Sequence, residues 1–95
     1  MPLIEQMANV GSEVERAIRA NTLGNAERSE HALVRALELF DLTATDSRWH
    51  GWRRREVLRA RELFCTLFCA DAPSAGDAEY LQKYFLQFAV AARRQ

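Results

Sequence analysis

Ile4, Met7, Gly11, Val14 and Ile18 recur at steps of three and four residues, and that spacing limits the fold more than any other feature. Such steps place side chains on one face of an α-helix, whereas a half-buried strand would alternate at every second residue. Leu3, Val10 and Ala17 widen the same face, which predicts a helix over residues 3–21. Gly11 lies on the stripe, where its missing side chain would let a neighbouring helix come close. Ser12-Glu13-Val14-Glu15 competes with this reading, because it has the form of a capping box that would restart the helix. One continuous helix is the preferred reading.

Three more helical patterns follow, with no strand pattern and no internal repeat. Gly24 suits the left-handed residue past a helix end, and Asn25 can cap the next helix. The second helix, 26–42, would bury Leu33, Ala36, Leu37 and Phe40, with Val34 and Leu39 widening the face. Thr43 to Ser47 is a polar link in which Asp46 or Ser47 opens a third helix, 47–70, whose first turns are complicated by Gly51. Asp71 to Gly76 carries Pro73 and Gly76 and reads as a loop. Asp77 or Ser74 would then cap a fourth helix, 77–93, with Leu81, Tyr84, Phe85, Phe88 and Ala92 on its apolar stripe. Tyr80, Tyr84, Phe85 and Phe88 read as core aromatics. Four such helices with short links predict an all-α, four-helix up-down bundle forming a single domain over 1–95.

Leu63 to Ala70 is apolar nearly all round its helix. In a bundle this small, such a surface must be central or must meet another subunit, so Leu63, Phe64, Leu67 and Phe68 are interface candidates. Trp49 and Trp52 join them as the alternative to a core role, which is preferred for both, because Trp is favoured at the anchoring points of interfaces. The expected partner is a second copy of the chain, a homodimer, or an unidentified protein.

Charge supplies the rival reading. Thirteen acidic and thirteen basic residues cancel, yet twelve of the bases are Arg and only Lys83 is Lys. Six of those arginines and one acid, Glu56, fall within the fourteen residues 48–61. That window therefore carries +5, and the remainder, with seven bases and twelve acids, carries −5. Guanidinium groups interleaved with Trp49 and Trp52 are what a nucleic-acid surface uses, with Arg48, Arg54, Arg55 and Arg59 as the anion contacts. A helical wheel spreads the arginines around the helix and puts Arg53 on the side of Val57, Ala60 and Phe64. The preferred reading is that much of the positive charge pairs internally with carboxylates of the first two helices, for which the guanidinium fork is suited. An Arg bias in a GC-rich genome accounts for the excess over Lys.

Chemistry is not assembled in the sequence. Cys65 and Cys69 stand four apart within a helix, and neither they nor His31 and His50 show zinc-ligand spacing, so no metal is expected. No nucleophile elbow, phosphate loop, dinucleotide fingerprint or H-E-x-x-H stands in the chain. Glu27 and His31, four apart, read as a surface helix pair. The expectation is a non-enzymatic protein with no cofactor. No apolar run approaches a membrane span, and the first residues lack the form of a secretory signal, so a cytoplasmic location without membrane contact is expected.

Two likenesses complete the reading. The segment Arg35-Ala36-Leu37-Glu38-Leu39-Phe40-Asp41-Leu42-Thr43, then Asp46 to Trp49, Arg55-Glu56, Arg61-Glu62 and Tyr84-Phe85, resembles a group of short prokaryotic all-helical proteins. No activity is known for that group, so the likeness implies a helical fold and no functional residue. The bundle nucleases that carry an Arg-x₄₋₆-His motif are a poorer match, since neither His31 nor His50 has an Arg at that upstream distance.

Overall fold

In a computed structural model of the chain, residues 2–69 and 75–94 are described, with the side chains of Cys69 and Ala75 excepted. Among them are four helices and no strand: α1 (Leu3–Thr22), α2 (Ala26–Ala44), α3 (Gly51–Cys69) and α4 (Ala75–Arg93). Each helix packs on its neighbours in sequence, and α1 also packs on α4, closing a four-helix bundle. Ala70, most of the predicted loop and the capping role of Ser74 lie outside the described residues.

α1 runs through Gly11 and Ser12 without a break. The Ser12 hydroxyl donates back to the Ala8 carbonyl at 3.1 Å, so it does not cap a new helix. Its end is a Schellman motif: Asn25 N–H donates to Ala20 O at 2.9 Å and Gly24 N–H to Asn21 O at 3.1 Å. Gly24 adopts φ +75, which a Cβ would penalise. Asn25 then caps α2 by accepting from Arg28 N–H at 3.1 Å.

α2 continues to Ala44, two residues past the predicted end. Thr43 donates to the Leu39 carbonyl at 2.8 Å and Thr45 to the Asp41 carbonyl at 2.9 Å, so these hydroxyls satisfy the last turn from within. α3 starts later than predicted, at Gly51. Asp46 organises a turn instead, accepting Arg48 N–H on its carboxylate at 2.9 Å and Trp49 N–H on its carbonyl at 3.0 Å. Gly51 is the first residue of α3, and its φ of +59 stops the right-handed helix from extending back through it. Asp77 is not a cap; it stands in the first turn of α4, where a carboxylate suits the helix dipole.

The core is built from Met7, Val10 and Val14 of α1, Ala36 and Phe40 of α2, Val57 and Phe64 of α3, and Leu81 and Phe85 of α4. Phe40 is its hub, with ring centroids of Phe64 and Phe85 each 5.8 Å away. The closest backbone approaches among the described residues are those of α1 with α2 and α4. Small residues allow them: a Cβ built on Gly11 would come within 2.8 Å of the Phe85 Cβ.

The fold also corrects three expectations. Phe64 and Leu67 are core residues and not interface, with Leu63 and Phe68 packed half-buried against them; Trp49 takes the core role preferred for it, whereas Trp52 is exposed. The apolar end of α3 is therefore largely consumed inside the bundle. Val34 does not widen the buried face of α2; it is exposed. Arg53, one turn before Val57, is exposed in the first turn of α3 and needs no buried carboxylate.

Candidate interaction surface between α3 and α4

Trp52, Arg55, Glu56 and Arg59 follow one another at steps of three, one and three residues, which keeps them on one side of α3. Tyr80, Tyr84 and Gln87 do the same on α4. Together these residues line a groove of about 500 Å³ between the two helices. Trp52 is 60% exposed and Tyr80 53%, a large apolar area to leave in water on so small a protein. Tyr80 was read as core; its position, four residues from the half-buried Tyr84, carries it to the rim.

Half-buried Tyr84 forms the floor of the groove beside Glu56. Burial, and then the adjacent Glu56 charge, pushes the Tyr84 hydroxyl above its ordinary value, so it stays protonated. The consequence for stability has a definite sign. Below pH 10.0, the ordinary tyrosine value, the phenol is neutral in both folded and unfolded chains; above it only the unfolded chain ionises freely. Stability is expected to fall as pH rises beyond that point. Tyr84→Phe, which has no phenol to ionise, is expected to flatten that alkaline fall. Urea unfolding on either side of pH 10.0 measures the effect.

The arginines divide into two sets. Arg61 bridges to Asp41 of α2 at 2.9 Å, and Arg48 pairs with Asp46 at 2.7 Å. The Arg48 guanidinium and backbone N–H hold the Asp46 carboxyl well below the usual carboxylate range. Gln6 of α1 donates to the same carboxylate at 3.2 Å, so Arg48 belongs to a structural knot. Arg53, Arg54, Arg55 and Arg59 are exposed and stand in no ion pair with a described residue. Arg53 instead lays its guanidinium over the Trp52 ring, 4.7 Å from the centroid. Internal pairing thus accounts for Arg48 and Arg61 but not for the arginines of the first two turns of α3.

Of the residues singled out from sequence, Trp52, Arg55 and Arg59 come together at this groove, whereas Trp49, Phe64 and Leu67 go to the core. Glu56, Tyr80, Tyr84 and Gln87 were not chosen. Their signal was the matching three- and four-residue spacing on two helices that the topology makes neighbours. His31 lies on a separate cleft between α1 and α2, with Arg16, Arg19 and Arg28. Among the described residues no group of three or more His, Cys, Asp or Glu is placed to hold a metal ion. Among them, too, no helix is long and apolar enough to cross a membrane. Compared with protein-family models, curated proteins and solved structures, the chain matches none.

Proposed function

We propose that this chain is a non-enzymatic helical-bundle protein that works by associating with another protein, through the groove between α3 and α4. The observation that carries the reading is the exposure of Trp52 and Tyr80 beside Arg55 and Arg59. Trp, Tyr and Arg are the side chains over-represented where interfaces concentrate their binding energy. That other protein is either a second copy, giving a homodimer, or a different chain, and the mass of a cross-linked adduct tells them apart.

A photo-reactive aromatic amino acid placed at position 80 in the living cell tests this. A discrete protein adduct is expected there and not from the same group at the exposed Leu42 of α2. An adduct of twice the 10.9 kDa chain assigns the face to a homodimer, and any other discrete mass to a different protein. No adduct, or the same adducts at both positions, overturns the reading.

A nucleic-acid-associated regulator is the second reading, favoured by the four exposed arginines without carboxylate partners next to a stackable Trp52. It requires affinity for DNA or RNA that falls steeply with salt.

A further inference from the structure

The groove's chemistry goes beyond the bare claim of association, and the inference rests on that claim. We propose that its occupant is an acidic helical segment of a different protein, with carboxylates on Arg55 and Arg59 and an apolar side chain against Trp52 and Tyr80.

Charge complementarity is the first argument. Across the described residues, ion pairs engage Arg16, Arg19, Arg35, Arg48, Arg61 and Lys83. Seven arginines stand in no ion pair with a described residue; Arg28, Arg93 and Arg94 are scattered, whereas Arg53, Arg54, Arg55 and Arg59 lie within two turns of one helix. An exposed guanidinium keeps its full complement of donors for a carboxylate, which it can grip through two parallel hydrogen bonds.

Spacing is the second argument. Arg55 and Arg59 are one helical turn apart, about 6 Å along the axis. Carboxylates four residues apart on a partner helix have the same separation. Trp52 lies one turn earlier, where a residue on that helix one turn before the first carboxylate would reach it. The Arg53 guanidinium over one face of Trp52 restrains the indole, which lowers the ordering cost of contact with the other face.

Glu56 decides between acidic protein and nucleic acid. It lies in the groove with Arg55, Arg59 and Tyr84. A phosphate chain laid along the groove meets that carboxylate as a like charge at every register. A peptide can place an amide or a basic side chain there and keep its own carboxylates for the arginines. The exposed Glu62, one turn past Arg59, extends the same discrimination.

The test uses the whole chain and three labelled probes: a synthetic helix with Glu at four-residue spacing and Leu between, its Lys-for-Glu counterpart, and a single-stranded oligothymidylate. Fluorescence anisotropy is expected to show salt-sensitive binding of the Glu helix alone. Arg55→Glu with Arg59→Glu is expected to weaken it by about tenfold or more, a typical loss for an interface anchor. Circular dichroism of that variant is expected to be unchanged, because both positions are exposed. Equal binding of the Lys helix, tighter binding of the oligothymidylate, or no binding of the Glu helix overturns the inference. So does a position-80 adduct at twice the chain mass. A position-80 adduct with a different protein, alongside a Glu helix that fails to bind, sinks this inference and leaves the association reading standing. Loss of both sinks the two together.

Discussion

Phe40→Ala is expected to remove about 3–5 kcal/mol of stability, the usual cost of deleting a large buried ring. Phe40 is fully buried, and its ring touches those of Phe64 and Phe85, so the deletion empties the point where α2, α3 and α4 meet. Each aromatic pair adds about 0.5–1.5 kcal/mol beyond burial, which places the expectation toward the upper end. A domain of this size commonly holds only about 5–15 kcal/mol in total. At about 4–8 °C per kcal/mol, the melting temperature should fall by about 12–40 °C. α3 should loosen first, since its backbone stands farther from its neighbours than that of α1. Hydrogen exchange on the variant checks that order. A loss under about 1 kcal/mol would mean that the centre of the bundle lies elsewhere.

Gly11→Ala is expected to destabilise even though alanine is the better helix former. In an exposed helix interior the exchange would gain about 1 kcal/mol. Here the new Cβ would lie 2.8 Å from the Phe85 Cβ and 3.1 Å from two ring carbons, closer than packed atoms tolerate. The nearest atom is next to the α4 backbone, so a side-chain rotation cannot relieve the clash and the helix itself must move. Overpacking of this kind costs about 1–3 kcal/mol, which outweighs or at least cancels the propensity gain. Gly11→Leu should lose more than Gly11→Ala. Urea unfolding of both variants gives the values, and a stabilised Gly11→Ala would show that α1 and α4 pack less closely than described.

These two residues also show what the chain makes legible. Gly11 was readable because a glycine on an apolar stripe has few uses other than close approach. Asn25 and Gly24 were readable because capping and left-handed geometry depend on residue type and sit within a few residues of each other. The start of α3 was less so, because Asp46, Ser47 and Gly51 each offer a beginning, and only the turn that Asp46 builds around Trp49 chooses among them. Arg53 was misplaced for a related reason. A helical wheel assigns a side but not how far along the helix the core extends.

The candidate surface was half legible. Trp52, Arg55 and Arg59 stood out by residue type, but the apolar run from Leu63 to Phe68 competed with them as an interface. Burial separates the two, and burial depends on which helices meet. Tyr80 and Tyr84 come from a helix more than twenty residues away, so their meeting with Trp52 is a property of the bundle. Pairing of the arginines was equally out of reach, because Asp41 meets Arg61 only once α2 and α3 lie side by side.

The central claim is that Trp52 is exposed for association and not for the fold. Trp52→Ala, made in the chain carrying the photo-reactive group at position 80, tests it most directly. The expected result is a melting temperature within a few degrees of the parent, as for other exposed substitutions costing about 0.5 kcal/mol, together with loss of the position-80 adduct. An adduct of undiminished yield from the folded variant would contradict it.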